Sequence, residues 1–168
     1  NALQYEKLPA ERQARYKSLY AIHQKNREGS LVPDFQILWA DSTKSSLYDI
    51  ESEYLILYFQ NPDCPSCTEL REKIALNEDL NRAIDEGKIK LVTIYFETDE
   101  ALWKRYLQNK ANPRYMHGWD FQHTIEEQQL YDLRVIPYLF LLDKDKRVIK
   151  KDLPGDEISD YLRRLNLL

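Results

Sequence analysis

The sequence predicts an α/β domain in which a central mixed β-sheet carries helices on both faces. Two apolar runs of strand length, residues 54–60 and 89–96, are separated by a segment with helical periodicity, and this order predicts parallel strands. Residues 137–143 and 147–151 flank a polar turn, which predicts an antiparallel hairpin followed by a closing helix. Parallel and antiparallel pairs together imply a mixed sheet.

Residues 1–30 are predicted to form a helical arm. Pro9 can begin a helix, residues 10–27 are rich in helix formers and charge, and Gly29 is a stop signal. The charge favours either an exposed arm or a helix that packs on an upstream segment. The chain opens Asn1-Ala2 without an initiator methionine, and we interpret these residues as a cloning remnant. A lost anchor, targeting segment or upstream domain is compatible with this start.

Residues 31–168 are predicted to form one globular domain. Its elements follow in this order: strand 34–40, polar turn 41–46, strand 54–60, helix 64–86, strand 89–96, helix 99–107, irregular segment 109–123, helix 124–133, hairpin 137–151 and helix 155–165. Apolar residues recur at helical spacing from Cys64 until Gly87, and Asp99 is a typical N-cap. Pro113 and Gly118 interrupt any regular pattern in the irregular segment.

Composition excludes several classes of protein. With 168 residues, 43% hydrophobic and 31% charged, the chain suits one domain with a sizeable core. The net charge of −4 gives no basic surface, so we expect no nucleic-acid partner. The most apolar run, residues 54–59, has the length of a strand and not of a membrane span.

The two cysteines form one local motif, Cys64-Pro65-Ser66-Cys67. A strand, a short loop and a helix place Cys64 at a helix N-terminus, where free N–H groups and the helix dipole stabilise a thiolate. Cys67 lies nearly one turn further along and can attack a mixed disulfide formed at Cys64. We predict Cys64 as the nucleophile and Cys67 as the resolving residue, with Pro65 keeping the loop stiff.

Three other interpretations of the motif remain open. A zinc site needs a second ligand pair, and besides His23 the chain offers only His117 and His123, which we predict to be surface or loop residues. A redox-inert pair is a second interpretation, and peroxidatic chemistry is a third, although the loop lacks the flanking residues of that site. We expect no metal and no organic cofactor.

Val135-Ile136-Pro137 leads into the predicted strand at 137–143. Proline is tolerated at a strand entrance with an ordinary trans bond, but an Ile-Pro bond there can also be cis. A cis bond would leave the backbone N–H and C=O of Ile136 free to pair with an extended substrate. Ile136 and Pro137 are therefore candidate substrate-binding residues.

The run 55–59 leading into Cys64-Pro65-Ser66-Cys67, together with residues 133–137 and the following hairpin, resembles the thioredoxin superfamily over residues 31–168. The lead-in Asn61-Pro62-Asp63 and the long excursion before the last strand pair resemble the extracytoplasmic TlpA-like thiol–disulfide oxidoreductases. The resemblance implies a thioredoxin-like fold, a cis Pro137 beside Cys64 and a location outside the cytoplasm, in the periplasm or cell envelope.

Three positions depart from the family pattern. Asp63 stands where thioredoxins usually carry tryptophan, and its carboxylate disfavours a neighbouring thiolate. Tyr58 stands six positions before the nucleophile, where the family has a buried carboxylate, so Cys67 lacks its usual proton acceptor. Tyr138 replaces the common threonine after the proline.

Two further features carry alternative interpretations. Arg134, three positions before Pro137, is either a cation that favours the Cys64 thiolate or an exposed salt-bridge residue. Four aromatic residues are either core filling beneath a long loop, which we favour, or a wall beside the dithiol: Trp103, Tyr115, Trp119 and Phe121.

The sequence thus predicts a protein-disulfide oxidoreductase whose partners are protein thiols and disulfides and an upstream electron donor. No histidine lies between the cysteines, which favours a reductant over an oxidant. We expect a monomer. The alternative, favoured by Tyr58 and Asp63, is a redox-idle binding module of a larger envelope protein.

Overall fold

The computed structural model describes residues 8–133, 135–153 and 155–168. The strands are β1 (Gln36–Trp39), β2 (Lys44–Ser46), β3 (Tyr54–Phe59), β4 (Ile89–Tyr95), β5 (Met116–Trp119), β6 (Tyr138–Asp143) and β7 (Val148–Lys151). The α-helices are α1 (Ala10–Gln24), α2 (Pro65–Ala75), α3 (Glu78–Asp85), α4 (Glu100–Asn109), α5 (Thr124–Glu127) and α6 (Ile158–Arg164). Leu47–Asp49 and Gly155–Glu157 form short 3-10 helices.

Within the described residues, the seven strands form one sheet in the order β2-β1-β5-β4-β3-β6-β7. β3 is an interior strand, parallel to β4 and antiparallel to β6, so that Leu57 is opposite Val92 on one side and Phe140 on the other. β5 continues the parallel part, whereas β1, β2 and β7 join by antiparallel pairing. The prediction of a mixed sheet is confirmed.

The side chains of β3 alternate between two cores, as the two-residue period of a strand requires. Leu57 and Phe59 pack on one face with Ile125 of α5. Ile56 and Tyr58 pack on the opposite face against an apolar layer from three helices. That layer contains Ile74 of α2, Leu80 of α3 and Ile158 of α6. Helices therefore cover both faces, as predicted.

The aromatic residues of the central segments are core residues. Trp103 of α4 stacks on Tyr95 of β4 with ring centroids 6.1 Å apart and planes 2° apart. Trp119 joins this cluster and Phe121 packs against it, whereas Tyr115 packs in the core beneath α2. These contacts support the interpretation that the aromatic residues fill the core, and not the alternative that they form a wall beside the dithiol.

The described side chains of helix α1 are largely exposed; Tyr16 exposes 55% and Tyr20 67% of its accessible surface. The residues after it are held by Asn26, whose side-chain amide donates to the Leu130 carbonyl and accepts from the Asp132 backbone N–H. None of the helices in the described residues combines the length and the apolar character that crossing a membrane requires.

Two strands and two helix boundaries differ from the sequence predictions. β2 lies inside the segment predicted as a polar turn, and β5 lies inside the segment predicted as irregular. The helix predicted from Cys64 to Gly87 is two helices, because the Asn77 side chain caps α3 by accepting the Leu80 N–H. The helix predicted at 124–133 ends at Glu127, because Gln129 adopts φ 49°.

β5 has no recognisable strand pattern in the sequence, because its residues fit the sheet through close packing and a polar contact. A methyl group at Gly118 would overlap Cγ2 of Ile37 and lie 3.1 Å from Cδ1 of Ile94 and from Cζ3 of Trp39. His117, predicted as a surface or loop residue, is buried in β5 and hydrogen-bonds Thr93 of β4 at 2.7 Å. A glycine and a histidine are weak strand signals, yet here Gly118 fits closely between β1 and β4, and His117 bonds to β4.

We expect Gly118→Ala to lower stability by about 1–3 kcal/mol, because the added methyl overpacks a closed core. Chemical denaturation of the variant and of the original chain measures the difference. In an Ile37→Ala background the same substitution should cost much less, because the overlapping methyl is gone. Equal costs in both backgrounds would contradict the packing explanation.

Candidate active site

The dithiol loop lies where β3 leaves the sheet and α2 begins. Asn61 shapes the loop: its side-chain oxygen accepts the Asp63 N–H at 2.7 Å, and its carbonyl accepts the Cys64 N–H at 3.2 Å. Cys64 is the N-cap of α2 with extended backbone angles, and Pro65 occupies the first helical position. Proline there loses no intrahelical hydrogen bond, since the first N–H groups of a helix have no intrahelical partner.

The Cys64 sulfur accepts hydrogen bonds at the start of the helix. The Cys67 N–H lies 3.4 Å from Sγ of Cys64, and the Ser66 hydroxyl lies 3.3 Å from it. Partial burial acts to raise the pKa of Cys64, but the bonds from Cys67 and Ser66 outweigh it and the net pKa is lowered. The thiol of Cys64 therefore ionises more readily than an ordinary cysteine.

Cys67 has the opposite character. Its side chain is fully buried, with 0% of its surface exposed, and both cysteines are free thiols. Burial first, and then the hydrogen bond with Cys64, raise the pKa of Cys67 to about 12. The site therefore pairs an accessible, acidic thiol with a buried thiol that keeps its proton at neutral pH.

Tyr58 occupies the buried position next to Cys67. Its hydroxyl donates to the Cys67 carbonyl at 2.9 Å, and the residue is 1% exposed. Burial, followed by the nearby Cys67, raises the pKa of Tyr58 far above that of an ordinary phenol. Tyr58 thus stays protonated and is a hydrogen-bond donor, so it cannot take the proton of Cys67 as a carboxylate would.

Arg71 was not identified from the sequence and lies one helical turn after Cys67. Its guanidinium donates to the Gln60 side chain, to the Thr68 hydroxyl at 2.7 Å and to the Pro62 carbonyl at 3.3 Å. It also lies over the Tyr106 ring, 5.4 Å from the centroid. The sequence signal that could have identified Arg71 is its position four residues after Cys67, which places the two side chains on the same side of a helix.

Pro137 lies beside the dithiol helix. The Ile136–Pro137 peptide bond is cis, as the family resemblance implies. Pro137 and Ser66 line one open cavity of about 260 Å³. Val135, two residues before Pro137, is 68% exposed. Arg134 lies outside the described residues.

A second cavity, of about 550 Å³, runs along the other flank of α2 and is lined by neither cysteine. Arg71, Tyr58 and Tyr106 contribute to its wall. In the part of the chain that the structure describes, no three His, Cys, Asp or Glu side chains lie together as a metal site would require.

Two solved structures have similar folds and are about one-third identical to this chain in sequence. A thioredoxin-like protein from Bacteroides caccae is 34% identical with a TM-score of 0.88, covering 94% of this chain. This chain spans 57% of the length of that protein. The C-terminal domain of an uncharacterized protein from Bacteroides fragilis is 33% identical with a TM-score of 0.78, covering 82% of this chain and 98% of that domain.

A curated relative carries a functional name. The thiol-disulfide oxidoreductase ResA of Bacillus thuringiensis is 24% identical over 157 residues, covering 89% of this chain and 85% of the relative. This similarity agrees with the TlpA-like resemblance of the sequence. The thioredoxin-like family profile matches residues 52–148, which include β3, both cysteines and Pro137. Because that match spans more than half of the sequence, the chain belongs to the thioredoxin-like family.

Proposed function

We propose that this protein is a thiol–disulfide oxidoreductase that exchanges disulfides with partner proteins through Cys64 and Cys67. The observation that carries the proposal is the asymmetry of the two thiols: Cys64 has a lowered pKa at a helix start, and Cys67 is buried behind it with a pKa of about 12. A partner disulfide reaches Cys64 first, and Cys67 reacts only within the protein. The name of the ResA relative supports the same activity.

Reduction of a partner proceeds in two steps. The Cys64 thiolate attacks one partner sulfur, so a mixed disulfide forms and the other partner sulfur leaves as a thiolate. Cys67 then loses its proton to solvent and attacks Sγ of Cys64, which forms the Cys64–Cys67 disulfide and releases the second partner thiolate. The partner gains two electrons and the protein dithiol loses them.

Ile136 and Pro137 are proposed to hold the partner chain beside Cys64, with the backbone of Ile136 pairing with an extended segment. The shared cavity of Ser66 and Pro137 and the exposed Val135 support this assignment. Asp63 and Ser66 are proposed to tune Cys64. We further propose that the protein acts outside the cytoplasm, since the family resemblance is to extracytoplasmic proteins. We also propose that it is a monomer, receives electrons from an upstream donor and uses no bound cofactor.

A redox-idle binding module is the second candidate function. The observation that favours it is Tyr58, because a protonated phenol stands where a proton acceptor for Cys67 would assist exchange. Turnover with a disulfide substrate separates the two candidates.

The chain should reduce insulin with dithiothreitol as the electron source. Cys64→Ser should abolish this turnover, because the buried Cys67 cannot reach a partner. Cys67→Ser should accumulate mixed disulfides on Cys64, because resolution is lost. Turbidity follows insulin reduction, and non-reducing electrophoresis with mass spectrometry identifies the trapped partner.

Full turnover by Cys67→Ser would contradict the assigned roles. Absence of turnover in the unsubstituted chain, with a Cys64 pKa above about 9, would favour the binding module.

Alkylation of Cys64 by iodoacetamide should follow a pKa below that of a free thiol, since the thiolate fraction rises as pH passes upward through the pKa. Ser66→Ala should move the midpoint of the rate profile upward by about half a pH unit, because one hydrogen bond to the thiolate is lost. Ser159→Ala, a hydroxyl deletion far along the chain in α6, is the matched control. An unchanged midpoint in Ser66→Ala would show that the Ser66 hydroxyl does not stabilise the thiolate.

Equilibration of the Cys64–Cys67 pair with glutathione should place it nearer the value of about −270 mV found for thioredoxin than the value of about −120 mV of the strongest oxidants in the superfamily. The physical reason is that Pro65-Ser66 supplies no cation to stabilise the reduced thiolate. Quantified alkylation of the reduced fraction gives the potential. A value near the oxidising end would overturn the proposed reductant role while leaving exchange intact.

A further inference from the structure

We propose that Arg71 is the residue that makes Cys67 reactive, its guanidinium stabilising the Cys67 thiolate while the mixed disulfide is formed or resolved. This inference rests on the proposed exchange activity and adds a positioning residue to it. It answers a problem that the site poses: Cys67 must become anionic, yet its buried neighbour Tyr58 is a hydrogen-bond donor and not a base.

Geometry places Arg71 and Cys67 on one face of α2. Residues at i and i+4 of a helix lie one above the other, about one turn apart. The guanidinium is held there by bonds to Gln60, Thr68 and the Pro62 carbonyl. The cation is therefore fixed near the buried thiol and does not extend freely into solvent.

The charge of Arg71 is not neutralised by a carboxylate in the described part of the chain. Its partners Gln60, Thr68 and Pro62 are all uncharged acceptors, and the face of the Tyr106 ring adds only a weak attraction. A half-buried guanidinium in this state attracts an anion, and Cys67, one helical turn away, must become anionic during exchange. Burial and the bond with Cys64 raise the pKa of Cys67, and the Asn61 backbone and then Arg71 act to lower it. Arg71 also acts to lower the pKa of Tyr58, against the larger effect of burial.

The second step of exchange then needs no general base. Cys67 releases its proton to solvent, and the thiolate forms beside a fixed positive charge. It attacks Sγ of Cys64, and the departing partner thiolate takes up a proton from solvent. In the reverse direction the Cys67 sulfur is the leaving group, and the same charge stabilises it as the disulfide opens.

The test uses the full chain, reduced, with dithiobis(nitrobenzoate) as the probe. The first equivalent of coloured thiolate is released when Cys64 attacks the reagent, in a phase whose rate depends on reagent concentration. The second is released when Cys67 attacks the mixed disulfide, in a phase that does not. One trace thus reports the two cysteines separately.

We expect Arg71→Gln to slow the second phase and leave the first phase within about twofold. Each unit by which the pKa of Cys67 rises reduces its thiolate tenfold, but the more basic thiolate is about threefold more nucleophilic, so the net slowing is about threefold per unit. Arg71→Lys, which retains the charge, should recover most of the second-phase rate. Arg82→Gln on α3, an exposed arginine paired with Asp79, is the matched control and should leave both phases unchanged.

Three results would overturn the inference. They are an unchanged second phase in Arg71→Gln, equal slowing of both phases, and equal slowing by the Gln and Lys variants, which would indicate a structural role. Thermal unfolding of each variant checks that it is folded at the assay temperature. A first phase absent from the unsubstituted chain would instead refute the proposed function, so the two failures are distinguishable.

Discussion

The interior position of β3 in the sheet determines the properties of the dithiol site. β3 has a strand on each side, and its side chains from Leu55 to Phe59 are buried on both faces. At the carboxyl end of β3 the chain leaves the sheet through a short loop, and α2 then folds back with Ile74 in the core. This path presents Cys64 at the helix start and carries Cys67 beneath it within three residues. The difference in burial that separates the two thiols follows from the fold itself.

Beside the apolar core beneath α2, neutral polar side chains lie around the Arg71 guanidinium. Burial raises the pKa values of Tyr58 and Tyr106 and lowers the pKa of His117, so all three are uncharged at neutral pH. His117 accepts at Nδ1 from the hydroxyls of Thr93 and Tyr106 and donates from Nε2 to the Asn112 carbonyl, which is the pattern of a neutral imidazole. The Asp63 carboxylate lies on the exposed side of the loop instead. A thiolate formed at Cys67 therefore has the positive charge of Arg71 nearby, and none of these three side chains adds a negative charge.

The sequence predicted the parts of this arrangement that depend on continuous patterns. β3, β4 and the β6–β7 hairpin are apolar runs with clear ends, and the cysteine spacing together with the preceding strand indicated the site. β5 was missed because Gly118 and His117 are dictated by contacts with Ile37 and Thr93, which lie far away along the chain. Arg71 was missed for a related reason. An arginine on a helix is ordinarily a solvated charge, and only the fold shows that its acceptors are Gln60, Pro62 and Thr68 and not a carboxylate.

Activation of Cys67 by a charge has a consequence that activation by a carboxylate base does not share. With a pKa of about 12, Cys67 is protonated in the resting dithiol at neutral pH, and in the disulfide its sulfur is also uncharged. Arg71 therefore adds little stability to either resting redox form. Its attraction is strongest when the Cys67 sulfur is anionic, that is, while the sulfur attacks or departs. A group that stabilises only this passage speeds both directions equally and leaves the equilibrium between dithiol and disulfide unchanged. We expect the redox direction to depend instead on Cys64, because its bonds with Ser66 and Cys67 lower the pKa of its thiol in the reduced protein. The proposal thus assigns the rate of exchange and its direction to different residues at the start of the same helix.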